Sequence, residues 1–134
     1  MTKSMPDQDV VPADMPRILV AEDEFLIRML VSDHLREAGF SVVEAFNADE
    51  AMDILKSGAL IDLIFTDVRM PGTTDGLGLV DFVNRVRPDL PVLVTSGHLE
   101  PDLAYAAGAI QFIPKPCNLD VVTLAIRAAL ERSE

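Results

Sequence analysis

Alternation constrains this chain more than any other feature. Five short apolar runs, "RILVAE" (17–22), "SVVEAF" (41–46), "LIDLIFT" (60–66), "PVLVTS" (91–96) and "AIQFIP" (109–114), read as strands. Between and after them lie stretches of helical length and composition: "EFLIRMLVSDHLREAG" (24–39), "ADEAMDILKSG" (48–58), "GLGLVDFVNRVRP" (76–88) and "NLDVVTLAIRAALER" (118–132). A shorter helix fits within "EPDLAYAAG" (100–108), with Pro101 at a tolerated first-turn position. Gly39 and Gly58 are suitable helix stops, Pro88 ends the third helix, and Asn47 with Glu50 three residues on predicts a capping box. Five strands alternating with five helices predict an α/β domain with a parallel sheet, its right-handed crossovers placing helices on both faces.

The 134 residues are 49% hydrophobic, enough for one domain to bury its own core. The regular pattern starts at Arg17. Residues 1–16, with Pro6, Pro12 and Pro16 among Asp7, Asp9 and Asp14, read as a mobile leader, leaving 17–132 as the domain. A net charge of −11 provides no basic face for nucleic acid or for an anionic membrane. Cys117 is the single cysteine, so no internal disulfide forms and a cytoplasmic setting is expected. Neither a membrane-spanning run nor the apolar core of a secretion signal is present.

In an open parallel sheet, ligands bind beyond the carboxyl ends of the strands. Here strand one runs into Glu22 and Asp23, strand three into Asp67, strand four into Thr95 and Ser96, and strand five into Lys115 and Pro116. Strand two offers only Phe46 and Asn47. Singly, each residue has an ordinary explanation: a turn aspartate, a helix-start acidic pair, a backbone-satisfying threonine, a surface lysine. With strands one and three adjacent, however, three carboxylates, a hydroxyl and an ammonium share one crevice. Crowded carboxylates repel and raise one another's pKa, and Mg²⁺, which prefers oxygen ligands and keeps several waters, relieves that repulsion. Asp67 then becomes a candidate nucleophile for an acyl phosphate, with Lys115 and Thr95 facing the phosphoryl oxygens.

"ILVAEDE", "LIFTDVRMPG…DG", "PVLVTSG" and "IPKP", in this order and at about this spacing, resemble the receiver domain of bacterial two-component response regulators over about residues 17–132. The resemblance implies a doubly wound, flavodoxin-like sheet of order 2-1-3-4-5. It makes Asp67 the phosphoacceptor and gives Asp23, Asp67 and the Arg69 backbone carbonyl to Mg²⁺, with Glu22 acting mainly through a metal-bound water. Lys115 looks like the phosphate-contacting lysine, its bond to Pro116 like the family's cis peptide, and Thr95 and Phe112 like the switch pair. In this picture Thr95 moves toward the phosphoryl group and opens space into which Phe112 turns, reshaping the face of helix four, strand five and helix five. A histidine kinase or a phosphotransfer protein supplies the phosphoryl group and a downstream protein receives the signal. The chain itself catalyses only its own phosphorylation and dephosphorylation. With no effector domain after residue 134, a stand-alone receiver is expected; a phosphate sink or phosphorelay intermediate without output is the alternative.

Three departures from the family stand out: "MPGTTDG" is one residue longer than the common form, helix four is short, and Phe112 lacks a tyrosine's hydroxyl. An aspartyl-phosphate hydrolase usually has a second acid two residues beyond the nucleophile, where this chain has Arg69. A flavin carrier would have a Gly/Ser/Thr-rich loop after strand one, where "AEDEFLI" stands. His98 and His34 read as ordinary loop and helix residues, Cys117 as packing, and Met29, Met52 and Met70 as core filling. Gly97 leaves room for a phosphodonor. On the last helix Asp120, Thr123, Arg127 and Glu131 form a polar stripe. Val121, Leu124 and Ala128 widen the apolar sector beyond what one sheet contact requires, offering it to a partner or to a second copy in a homodimer.

Overall fold

The computed structural model describes residues 15–97 and 101–133. Most of the expected leader and His98 lie outside the described residues. The elements alternate as expected: β1 (Arg17–Ala21), α1 (Phe25–Glu37), β2 (Ser41–Ala45), α2 (Ala48–Lys56), β3 (Leu63–Asp67), α3 (Gly76–Val86), β4 (Val92–Ser96), α4 (Pro101–Ala107), β5 (Gln111–Pro114) and α5 (Leu119–Ser133). All strands pair in parallel, in the order β2-β1-β3-β4-β5. This is the doubly wound, flavodoxin-like fold.

The period of two along each strand sorts side chains between two cores. On one face Leu19, Ile64, Val92 and Val94 pack with Ala51 and Leu55 of α2, Leu79, Val80 and Val83 of α3, and Ala104 of α4. On the other, Ile18, Val20, Leu63, Phe65 and Leu93 pack with Val31 and Leu35 of α1 and with Val122 and Ile126 of α5. Each such aliphatic side chain, fully withdrawn from water, contributes about 1.5–3 kcal/mol. The central strands, covered on both faces, therefore read as continuous apolar runs.

Local chemistry fixes the helix starts. The Asn47 side chain accepts from the Glu50 amide at 2.7 Å, while Glu50 Oε1 accepts from the Phe46 amide at 2.7 Å, so the reciprocal bond of the capping box falls one residue early. Asp75 caps α3 by accepting from the Gly78 amide at 2.9 Å. β3 begins three residues later than the apolar run suggests. Leu60 is exposed, and Asp62 meets Arg17 at the start of β1 twice: its amide donates to the Arg17 carbonyl at 2.8 Å and its carboxylate accepts from the Arg17 amide at 2.8 Å. β5 likewise starts at Gln111 rather than at residue 109.

Candidate functional site

The sheet order brings the ends of β1, β3 and β4 side by side, with β5 next to β4. Ala21 pairs with Thr66 and Asp67 with Thr95, so the strand ends deliver their last side chains to one edge. Asp67 is buried, and both of its carboxylate oxygens are engaged. Oδ1 accepts from the Val68 amide at 2.7 Å, and Oδ2 accepts from the Lys115 ammonium at 2.9 Å. The same ammonium lies 3.6 Å from Glu22 Oε1. Carboxylate oxygens of Glu22, Asp23 and Asp67 all lie within 4.8 Å of one another. Beside them opens a cavity of about 400 Å³ lined by Asp23, Glu24, Asp67, Arg69, Ser96, Gly97 and Lys115. The Lys115–Pro116 bond is cis.

Electrostatics follow from burial. Loss of water pushes the Glu22 carboxyl up to about 7; the Glu24 amide, donating to Glu22 Oε2 at 3.1 Å, opposes the rise, and the charge of Asp67 adds to it. Burial alone would lower the Lys115 ammonium. Its hydrogen bond to Asp67 and the charges of Asp67, Glu22 and Glu24 outweigh that, so its pKa lies above the ordinary lysine value. Thr95 is 2% exposed, and its hydroxyl has no hydrogen-bond partner among the described residues. A buried orphan hydroxyl is costly and rare.

A family model for the response regulator receiver domain matches residues 18–127. The chain belongs to that family. It is 38% identical over 118 residues to the nitrogen assimilation regulatory protein NtrX of Azorhizobium caulinodans, an alignment covering 85% of this chain and 26% of NtrX. A response regulator receiver protein from Sinorhizobium medicae superimposes with a TM-score of 0.84 at 27% identity, covering 92% of this chain and all of that one. NtrX from Brucella abortus superimposes with a TM-score of 0.80 at 37% identity, over 89% of this chain and 28% of that protein. The chain spans about a quarter of the length of the curated relatives it matches. Receiver domains are phosphorylation-dependent signalling modules that typically hold Mg²⁺ in an acidic pocket. The all-oxygen trio in this receiver, with its carboxylate oxygens within 4.8 Å of one another, is a donor set that fits such an ion.

Glu22, Asp23, Asp67, Arg69 and Lys115 thus come together as the sequence suggests, and Thr95 sits on the neighbouring strand. Phe112 differs. It is buried, at 9% exposure, and belongs to the core cluster with Val94 and Ala104, so in this structure the residue already stands inward. The longer loop after Pro71 is tied down: Asp49 accepts from the Thr73 amide at 3.0 Å and from its hydroxyl at 2.8 Å, which holds the Asp49 carboxyl below its usual range. Gly97 lines the cavity, and a Cβ there would meet Lys115 Cβ at an ordinary 3.7 Å.

On α5 Val121 and Leu124 are half to two-thirds exposed, as the sequence suggests, but Thr123 is buried and donates to the Leu119 carbonyl, so the polar stripe is narrower than expected. Met52 and Met70 pack against the core, whereas Met29 is exposed on α1 beside Phe25, Leu26 and Leu30. Sequence reading also missed Arg28, whose guanidinium donates to the Glu22 carbonyl at 2.8 Å and to Glu44 at 3.2 Å, fixing the backbone of the acidic pair. An arginine one turn into a helix carries no sequence signal for that task. Among the described residues no helix is long and apolar enough to cross a membrane.

Proposed function

We propose that this chain is a phosphorylation-dependent switch whose receiver, residues 17–132, takes a phosphoryl group onto Asp67 from a histidine kinase or a phosphotransfer protein. The observation that carries the reading is the convergence on Asp67 of one ammonium and two further carboxylates from separate strand ends. Asp23, Asp67 and the Arg69 carbonyl would hold Mg²⁺, with Glu22 behind a bound water; the bound ion supplies positive charge to the phosphoryl oxygens during transfer. A carboxylate oxygen of Asp67 forms the new P–O bond as the P–N bond to the donor imidazole breaks, the departing nitrogen keeping the electron pair. Lys115 holds Asp67 in place before transfer, and its ammonium is within reach of a phosphoryl oxygen afterwards. The Thr95 hydroxyl then finds the acceptor it lacks.

The chain turns over no external substrate in this account, and its setting is the cytoplasm. Output passes to another protein through the face of α4, β5 and α5. The exposed Val121 and Leu124 suit an apolar partner or a second copy of the chain. An output insensitive to Val121→Lys removes that contact from the proposal.

The test is phosphoryl flow from a phosphorylated histidine kinase. The switch reading expects label to pass to the wild-type chain and persist there, and not to pass to Asp67→Asn. Label that passes to Asp67 and vanishes at once, with no partner bound, favours the phosphate-sink alternative. Label that passes equally to Asp67→Asn overturns both.

A further inference from the structure

The family's usual switch hydroxyl is missing from β5, and the ring that stands there, Phe112, is already buried. The hydroxyl at this surface belongs instead to Tyr105 of α4. Its oxygen accepts from the Phe112 backbone amide at 3.2 Å. The bond has a topological reason. β5 is an edge strand, and the Lys115 amide donates inward, to the Ser96 carbonyl of β4 at 3.0 Å. Alternation along a strand then turns the amides of residues 112 and 114 toward the free edge. Pro114 has no N–H, so Phe112 presents the one outward donor of β5, and Tyr105 takes it.

The same phenol borders a cavity of about 410 Å³ between α4 and β5, whose walls include Pro101, Phe112, Ser96, Gly97 and Lys115. The last three also line the phosphorylation cavity, so the two spaces share a wall. Thr95 pairs with Ile113, and Ser96 bonds Lys115, so a shift of the end of β4 toward Asp67 carries β5 with it. The Phe112 amide, on the far side of β5, is the group such a shift draws away from α4.

We infer that Tyr105 is the positioning residue of the switch: its hydroxyl clasps α4 to the edge of β5 in the unphosphorylated state and lets go when Asp67 is phosphorylated. This inference rests on the phosphorylation reading above. It assigns to a helix residue the polar contact that Phe112 cannot make.

Tyr105 is the chain's single tyrosine, and the chain has no tryptophan, so tyrosine emission reports on this one ring. The experiment compares wild type, Tyr105→Phe and Asp67→Asn with and without Mg²⁺ and beryllofluoride, reading tyrosine emission and exchange of the Phe112 amide by NMR. In wild type, beryllofluoride should change the emission and speed exchange of that amide by about fivefold, the factor carried by one ordinary hydrogen bond. Tyr105→Phe should show the faster exchange without beryllofluoride and gain little on its addition. Wild type that binds beryllofluoride at Asp67 yet keeps its Phe112 protection and its emission overturns the clasp alone. An equal response from Asp67→Asn overturns the phosphorylation reading beneath it.

Discussion

Glu22 and Thr95 are each held at an energetic cost, one by burial of its carboxyl and the other by an unpartnered hydroxyl. The Glu22 carboxyl titrates near 7 in the folded chain against an ordinary 4.5, so folding favours its protonated form. That contribution is complete below about pH 4.5 and is lost as pH rises through about 7, at most about 3 kcal/mol in metal-free buffer. Measured by urea denaturation without Mg²⁺, wild type should lose stability relative to Glu22→Gln between these limits; parallel pH profiles for the two proteins would contradict the assigned charge. Thr95→Val removes a buried hydroxyl that has no partner among the described residues. It should gain about 1 kcal/mol in the same assay while slowing phosphoryl chemistry at Asp67. A loss of stability would mean that the hydroxyl is satisfied after all.

At the scale of elements, α3 is seated directly on Asp67, the proposed phosphoacceptor. A Cβ at Gly76 would run into the Asp67 carbonyl oxygen and come within 2.8 Å of Val68 Cα, both backbone atoms that have little room to yield. Gly76→Ala should cost about 2 kcal/mol and slow Asp67 phosphorylation at least about tenfold, read by denaturation and by phosphate uptake. Unchanged uptake would show that the seating of α3 does not set the position of Asp67.

Much of this arrangement is legible in the sequence, because a parallel sheet puts its chemistry at strand ends and strand ends are marked by where apolar runs stop. Glu22, Asp23, Asp67, Thr95 and Lys115 all stand where such runs stop. What escaped depends on neighbours distant in the chain or on which side of a helix meets the sheet. Phe25, Leu26, Met29 and Leu30 look like core residues in a string of letters, yet they sit on the open side of α1. The Tyr105 bond to Phe112 exists only because a seven-residue α4 lies along the edge of β5. The burial of Phe112 likewise follows from packing between elements, which periodicity in so short a strand does not reveal.

For the whole molecule, two apolar cores hold the sheet, and at its edge, among the described residues, the carboxylates of Glu22, Asp23 and Asp67 gather beside the Lys115 ammonium. A divalent cation bound there stabilises the folded chain by mass action, about 2.7 kcal/mol at a hundredfold excess over its Kd. Thermal unfolding should shift upward with Mg²⁺ in wild type and much less in Asp23→Asn; equal shifts would place the ion elsewhere. The central claim concerns the carboxylate itself. Incubation with Mg²⁺ and a small phosphodonor, followed by intact-mass measurement, should add one phosphoryl group to wild type and none to Asp67→Asn. A wild-type chain that stays unmodified, or a variant that gains the same mass, would contradict the account.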